Sequence, residues 1–213
     1  MRPALSHFLA CFVAIFPIVN PFSAAGLLVA LTPGESNQRR RDQAKRAVIV
    51  MLAIMIVSYF AGTYILDFFS ISRSALVLAA GLLVCRSGWR ALTGTERLTP
   101  QQREEGMQKT DISFTPLGMP MLSGPGTISV VIGLAADTSR VQFHAAAVGA
   151  MAVVAAISYA VLRVAPAVVA KLGSTGEAAV SKLMGLIILC VGVQFLINGV
   201  LLVAAQIRAE AVA

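Results

Sequence analysis

Two polar segments containing proline interrupt long apolar stretches of this 213-residue sequence, and they are the places where it could do chemistry. The first is Pro17–Pro21 and the second is Pro120–Thr127. Proline lacks a backbone donor and clashes with the preceding helical turn, and the residue before it is pushed out of helical geometry. We therefore expect both segments to unwind their helices and to leave backbone polar groups without helical partners.

A helix that restarts after such a break can bind an anion. Pro21 and Pro125 suit the first position of a new helix, with Asn20 and Gly124 as the capping residues. The restarted helices would present free N–H groups and the positive end of the helix dipole, which favour a carboxylate or phosphate-like group. The candidate substrate-binding residues around the two breaks are Asn20, Pro21, Ser23, Ser123, Gly124, Pro125, Gly126 and Thr127.

A pair of proline kinks that only shape a helical bundle is the alternative interpretation, because proline and glycine are common in membrane helices. The position of the breaks favours binding. The two apolar stretches have their centres near residues 17 and 123, so both breaks are expected near the bilayer midplane. Lipid cannot satisfy backbone groups at that depth, so these groups must face protein or a wet cavity.

The remaining reactive side chains predict no catalytic, metal or cofactor site. Asp67, Asp111 and Asp137 lie near the ends of apolar stretches, which argues against a proton relay inside the membrane. The sequence contains no HExxH motif, phosphate-binding loop or dinucleotide fingerprint. Its three cysteines lie within apolar runs, and we interpret them as packing residues. We expect no enzymatic activity and no cofactor.

Arg86 and Arg90 flank Trp89 near the end of the third apolar stretch. Long basic side chains near a helix end extend their charge to the membrane surface, where tryptophan is also enriched. We interpret the two arginines as interfacial residues, with ligand binding as the alternative.

The elements that would carry the two breaks are membrane-spanning helices. Hydrophobic residues make up 57% of the sequence and charged residues 13%, whereas a soluble domain carries about 25% charged residues. A hydrocarbon core about 30 Å thick needs about 20 apolar residues in a helix. Six windows meet this requirement: Ala4–Leu31, Ala47–Leu66, Ala75–Leu92, Ile112–Ala135, Phe143–Val164 and Leu183–Ala205.

The distribution of basic residues predicts how these helices are oriented. The net charge is +7, and the 17 Lys and Arg fall between the apolar windows rather than on one soluble face, so we expect no nucleic-acid partner. With the N-terminus outside, thirteen of the 17 lie on the inner side and four on the outer side. Because basic residues are enriched in cytoplasmic loops, we expect both termini in the periplasm.

The two halves of the sequence resemble each other. Val57–Tyr59 has a counterpart in Ile157–Tyr159, and Pro17–Pro21 has one in Pro120–Pro125. Three helices per repeat is an odd number, so the second copy must be inverted, as in many secondary transporters. The predicted fold class is an all-α membrane protein with six transmembrane helices in two inverted three-helix repeats, the first and fourth helices being broken near the midplane. The predicted units are a first repeat at 1–95, a cytoplasmic linker at 96–110 and a second repeat at 111–213.

Small residues recur every seven positions in the third and sixth windows. A period of seven keeps them on one face of a helix, where the lack of a side chain lets two backbones approach closely. We interpret them as helix-packing residues. They are Gly81, Gly88, Gly185, Gly192 and Gly199.

The two breaks also carry a family resemblance. Phe16–Pro21, followed by Ala30–Thr32, and Asp111–Gly126 resemble the two signature segments of the MarC family of bacterial inner-membrane proteins. The similarity covers nearly the whole chain, and its second segment is the more specific. Ser23 and Gly26 stand where the family usually has a glycine and a further proline. The resemblance implies an inner-membrane location and, through similarity to the amino-acid exporter superfamily, a transport role without a specified substrate.

Our first hypothesis is a small-molecule transporter or exporter that works by alternating access and accepts a solute with an anionic group. The runner-up is a membrane scaffold or accessory protein with purely structural breaks, and a membrane-embedded enzyme is third. The expected partners are the lipid bilayer and an unidentified small-molecule solute, and the sequence leaves an oligomer open. A polar cavity reached from one side would favour transport, whereas dry, tightly packed breaks would favour the scaffold.

Overall fold

The computed structural model describes residues 3–94, 104, 106, 109–136 and 141–212. Asp137 and most of the linker predicted at 96–110 lie outside these residues. The described part of the chain is almost entirely helical and contains no strand. A wide-turned helical segment, π1 (Ser113–Leu122), lies between the fourth and fifth helices. The helices are α1 (Pro3–Val19), α2 (Pro21–Leu31), α3 (Asn37–Phe68), α4 (Arg73–Thr93), α5 (Pro125–Ala136), α6 (Val141–Arg163) and α7 (Ala165–Val212).

Most of these helices are long and apolar enough to cross a membrane. Within the described residues, π1 and α5 also qualify together, although they meet at an angle of 61°. Counting this bent pair as one span brings the number of candidate spans from five to six. The prediction of a multi-pass α-helical membrane protein is therefore confirmed. The five other spans are Pro3–Leu31, Asn37–Phe68, Arg73–Thr93, Phe143–Arg163 and Ala178–Ala209.

Local sequence explains where α3 and α4 begin and where α4 ends. The side chain of Ser36 accepts a hydrogen bond from the backbone N–H of Arg39 at 3.3 Å. Ser72 accepts one from the N–H of Ala75 at 3.2 Å. Both serines thus satisfy an N–H group that the helix itself leaves unpaired. Gly94 ends α4 in the left-handed conformation, which glycine adopts without a steric penalty.

The packing order places α5 in the middle of the bundle. It lies against α3 and α4 and also contacts α1, while α6 packs on α1 and α3. The faces turned away from this core carry exposed apolar side chains such as Val57, Tyr64 and Leu201, as expected for helices surrounded by lipid. The largest buried core side chains include Ile15, Leu28, Met51, Met55, Leu122 and Met151.

The helix pair with the most extensive contact in the described chain is α4 and α7, and the seven-spaced glycines lie at its interface. A Cβ atom added at Gly88 would come within 2.5 Å of the backbone nitrogen of Leu189. One added at Gly192 would come within 2.6 Å of the backbone nitrogen of Cys85. Backbone contacts of this kind cannot be relieved by moving a flexible side chain. The pair can therefore approach this closely only because no side chain lies between the two backbones.

We expect Gly192→Ala to lower the free energy of unfolding of the purified protein by about 1–3 kcal/mol, because the added methyl group forces α4 and α7 apart. Gly133→Ala is the matched control. Gly133 is also buried in a helix, but no described atom outside the neighbouring backbone of its own helix lies within 4 Å of the position its Cβ would take. Because alanine has a higher helix propensity than glycine, this variant should be unchanged or up to about 1 kcal/mol more stable. Equal melting temperatures for the two variants would contradict the packing described for α4 and α7.

Candidate functional site

The chain between α1 and α2 turns at a single residue, Asn20. Its backbone has φ 47° and ψ 69°, in the left-handed region that asparagine tolerates better than most residues. Its side-chain Oδ1 accepts a hydrogen bond from the N–H of Ser23 at 3.3 Å, which caps α2. The side chain is fully buried, and its Nδ2 has no hydrogen-bond partner among the described residues. Asn20 thus brings an unused donor into the protein interior.

Pro21 and Ser23 lie in the first turn of α2. Pro21 occupies the first helical position, where its missing N–H leaves no bond unmade. The hydroxyl of Ser23 lies 3.1 Å from that of Ser181, so it links α2 to α7. Neither residue lines the cavity described below.

The second segment, π1, follows a much less regular path. Thr115 and Met119 have extended backbone geometry, and each precedes a proline, Pro116 and Pro120 respectively. The hydroxyl of Ser123 donates to the carbonyl oxygen of Gly118 at 2.7 Å.

The hydroxyl of Thr127 donates to the carbonyl oxygen of Leu122 at 3.4 Å. Like Ser123, it is buried. These two hydroxyl groups therefore bond backbone carbonyl groups of the irregular segment, so their role here is structural.

The first turn of α5 leaves two backbone donors unused by the helix. The first bond of this helix runs from the N–H of Ile128 to the carbonyl oxygen of Gly124 at 3.1 Å. The N–H groups of Gly126 and Thr127 come before it and have no carbonyl group one turn earlier in the helix. The start of α5 therefore presents donors, together with the positive end of a 12-residue helix dipole.

A cavity of about 130 Å³ lies at this helix start. Of the residues predicted from the sequence, Gly124–Thr127 line it, whereas Asn20, Pro21, Ser23 and Ser123 do not. The first segment contributes through Ile18, whose side chain lies 3.7 Å from the position that a Cβ of Gly126 would take. Among the described residues, the lining consists of Ile18, Ser87, Arg90, Pro120, Met121, Gly124, Pro125, Gly126 and Thr127.

The sequence patterns did not predict Ser87 and Arg90 as part of this site. Arg86 is exposed, in keeping with the interfacial interpretation, but Arg90 is only partly exposed and lines the cavity. Their spacing does indicate that Ser87 and Arg90 share one face of α4, because residues three apart lie on the same side of a helix. Hydropathy gives the depth of a residue in a span and says nothing about which neighbour it faces.

Polar contacts hold the start of π1 against α3. Arg46 forms an ion pair with Asp111 at 3.0 Å, and the N–H of Ile112 donates to Oε1 of Gln43 at 3.2 Å. Hydrogen bonds from Ser113 hold the pKa of Asp111 below its ordinary value, and Arg46 lowers it further. Both side chains of the ion pair are well exposed, so this contact contributes only about 0–1 kcal/mol.

The family model of the MarC family integral membrane proteins matches residues 5–203 of this chain. The chain belongs to the MarC family. Among its relatives, the UPF0056 inner membrane protein MarC of Escherichia coli strain K12 is 34% identical over 202 residues, which cover 89% of this chain and 91% of that protein. The protein of the same name from Shigella flexneri has the same identity and coverage. No solved structure matches the chain.

Membership in the MarC family agrees with the helices described above. The matched region begins within α1 and ends within α7, so it includes both proline-containing segments and the cavity. The relatives are inner-membrane proteins by name, and this chain is accordingly a multi-pass protein of the inner membrane. The resemblance inferred from the two signature segments is thereby confirmed.

We expect Asn20→Ala to destabilise the protein by roughly 2 kcal/mol, because alanine loses the cap and is strained in left-handed geometry. Asn20→Gly loses the same cap but adopts this backbone freely, so it should cost less than about 1 kcal/mol. Melting temperatures of the two variants in detergent would test this order. An alanine variant as stable as the glycine variant would show that the backbone at position 20 is not left-handed.

Proposed function

We propose that this chain is a small-molecule transporter of the inner membrane, whose substrate site is the cavity at the start of α5. The observation that carries the proposal is the lining of this cavity. It combines backbone donors of α5, the hydroxyl of Ser87 and the cation of Arg90 within a bundle of membrane-spanning helices. Placing polar and charged groups inside a membrane costs free energy, and such groups usually mark the path of a solute.

Two inverted repeats would explain how the site is built. In this proposal α1–α2 corresponds to π1–α5, α3 corresponds to α6, and α4 corresponds to α7. A two-fold axis in the membrane plane brings equivalent elements together. Three observations support the assignment. The α3–α6 and α4–α7 pairs are in contact, α1 contacts α5, and each candidate broken span contains a residue or segment with non-helical geometry.

The proposed orientation puts the entrance of the cavity on the cytoplasmic side. Thirteen of the 17 basic residues lie on one side of the predicted spans, and this bias favours periplasmic termini. The C-terminal end of α4, with Ser87 and Arg90, then faces the cytoplasm. The cavity would lie between the midplane and the inner surface, so the structure would represent an inward-facing state.

The bent pair of π1 and α5 is the element that we propose moves during transport. Alternating access requires two packings of similar free energy. The start of π1 is held on α3 by the exposed ion pair of Arg46 and Asp111, which costs little free energy to break, and by the hydrogen bond from the N–H of Ile112 to Gln43. The irregular backbone between Ser113 and Ser123 can change direction without disrupting a continuous helix.

A membrane scaffold or accessory protein remains the second candidate function. The observation that favours it is the use of the Ser123 and Thr127 hydroxyls to satisfy backbone carbonyl groups. A purely structural kink would need the same bonds. The function of such a protein does not require that water or solute reach the cavity from both sides of the membrane.

Cysteine accessibility separates the two functions. In a variant whose native cysteines are replaced by alanine, we expect Ser87→Cys to react with a membrane-impermeant methanethiosulfonate from the cytoplasmic side in inverted vesicles. Slower reaction from the periplasmic side in intact cells is also expected, because the site would open alternately to both sides.

Ser158→Cys is the control, because Ser158 is fully buried on α6 and does not line the cavity. It should remain unreactive from either side. Failure of Ser87→Cys to react from either side would contradict transport and favour the scaffold. Reaction from the cytoplasmic side alone would indicate a pocket that does not cross the membrane.

A further inference from the structure

Arg90 is the only charged side chain among the described residues that line the cavity. It lies in the last turn of α4, within the span Arg73–Thr93. No carboxylate in the described part of the chain forms an ion pair with it. A cation inside a span is costly unless water or an anion compensates it. The cavity is where such compensation can take place.

Besides Arg90, the described residues of the lining contribute backbone N–H donors and one hydroxyl group. The N–H groups of Gly126 and Thr127 lie at the start of α5, and the hydroxyl of Ser87 already donates to the carbonyl oxygen of Leu83 at 3.0 Å. No acidic side chain belongs to the part of the lining that the structure describes. The electrostatic environment therefore favours an occupant that accepts hydrogen bonds and carries negative charge.

The volume of the cavity limits the size of this occupant. Pockets for drug-sized molecules measure about 300–1,000 Å³, and an engineered protein cavity of about 150 Å³ binds benzene. A cavity of about 130 Å³ therefore accepts a solute of about six non-hydrogen atoms. The charge of the occupant is limited as well, because one guanidinium group and the partial positive charge of one helix start compensate a single negative charge.

We propose that the occupant is a small, singly charged oxyanion, such as a short monocarboxylate, held by the guanidinium group of Arg90. This inference rests on the proposed transport function and specifies the substrate class of the same site. The fork of the guanidinium group matches the two oxygens of a carboxylate, which a lysine ammonium group does not.

The phosphodiester of a lipid headgroup is also a singly charged oxyanion. Because Arg90 lies in the last turn of α4, near the end of its span, a lipid headgroup must be distinguished from a soluble anion. Propionate is the soluble probe, and propionamide is its uncharged counterpart of nearly the same shape. Both are added to protein in a maltoside detergent, which contains no phosphate. Phosphatidylglycerol is added in a separate series. Sodium chloride at the same ionic strength controls for general salt effects.

We expect propionate, but not propionamide, to raise the melting temperature in a saturable manner. The half-saturating concentration should increase about tenfold to a hundredfold in Arg90→Gln, since a charge-assisted pair of hydrogen bonds is lost. Arg90→Lys keeps the charge without the fork and should lie between the two. Arg86→Gln removes the same charge from an exposed position on the same helix and should bind propionate as the unmodified protein does.

Equal stabilisation by propionate and propionamide, or equal propionate binding by Arg90→Gln and the unmodified protein, would overturn the proposal. So would stabilisation that depends on Arg90 with phosphatidylglycerol and not with propionate. If Arg90→Gln does not fold, the comparison of the two probes and the Arg90→Lys titration decide the outcome. Reaction of Ser87→Cys from both sides together with no propionate binding would leave transport standing and reject the oxyanion.

Discussion

The constraint on which the structure depends is that a backbone inside lipid must find all its hydrogen-bond partners within the protein. Regular helices meet it without help, and the two proline-containing segments do not. At Asn20 the side chain supplies the missing acceptor by capping α2. Around π1 the hydroxyl groups of Ser123 and Thr127 bond the carbonyl groups of Gly118 and Leu122. What these residues leave unpaired, at Asn20 Nδ2 and at the start of α5, must face the interior.

Close helix packing follows from the same constraint, because the irregular segments must be enclosed on all sides. The glycines between α4 and α7 bring those two backbones together, and α5 then lies against α3 and α4. At Gly126 the backbone of α5 meets Ser87 and Val84 of α4, with 3.6 and 3.8 Å from the position of a Cβ atom to their side chains. This arrangement brings Arg90 and the first turn of α5 to one cavity.

Much of this architecture could be read from the sequence, because it depends on local properties. Runs of apolar residues indicate the spans, and proline indicates where the helix cannot continue at Pro21 and Pro125. The family resemblance came from the same two segments. The role of Arg90 could not be predicted, since the direction a side chain faces depends on which helix packs against it. The bonds of Ser123 and Thr127 depend on the irregular path of π1, which no periodicity describes.

The two proline-containing segments meet at one cavity, and a cross-link between them would report this contact. Ile18→Cys and Gly126→Cys would be combined in a variant whose native cysteines are replaced by alanine. The side chain of Ile18 lies 3.7 Å from the Cβ position of Gly126, so mild oxidation in membranes should join the two cysteines in a disulfide. Ile18→Cys with Gly133→Cys, two turns further along α5, should not cross-link. No disulfide in the first pair, with both cysteines present in folded protein, would contradict this contact between the two segments.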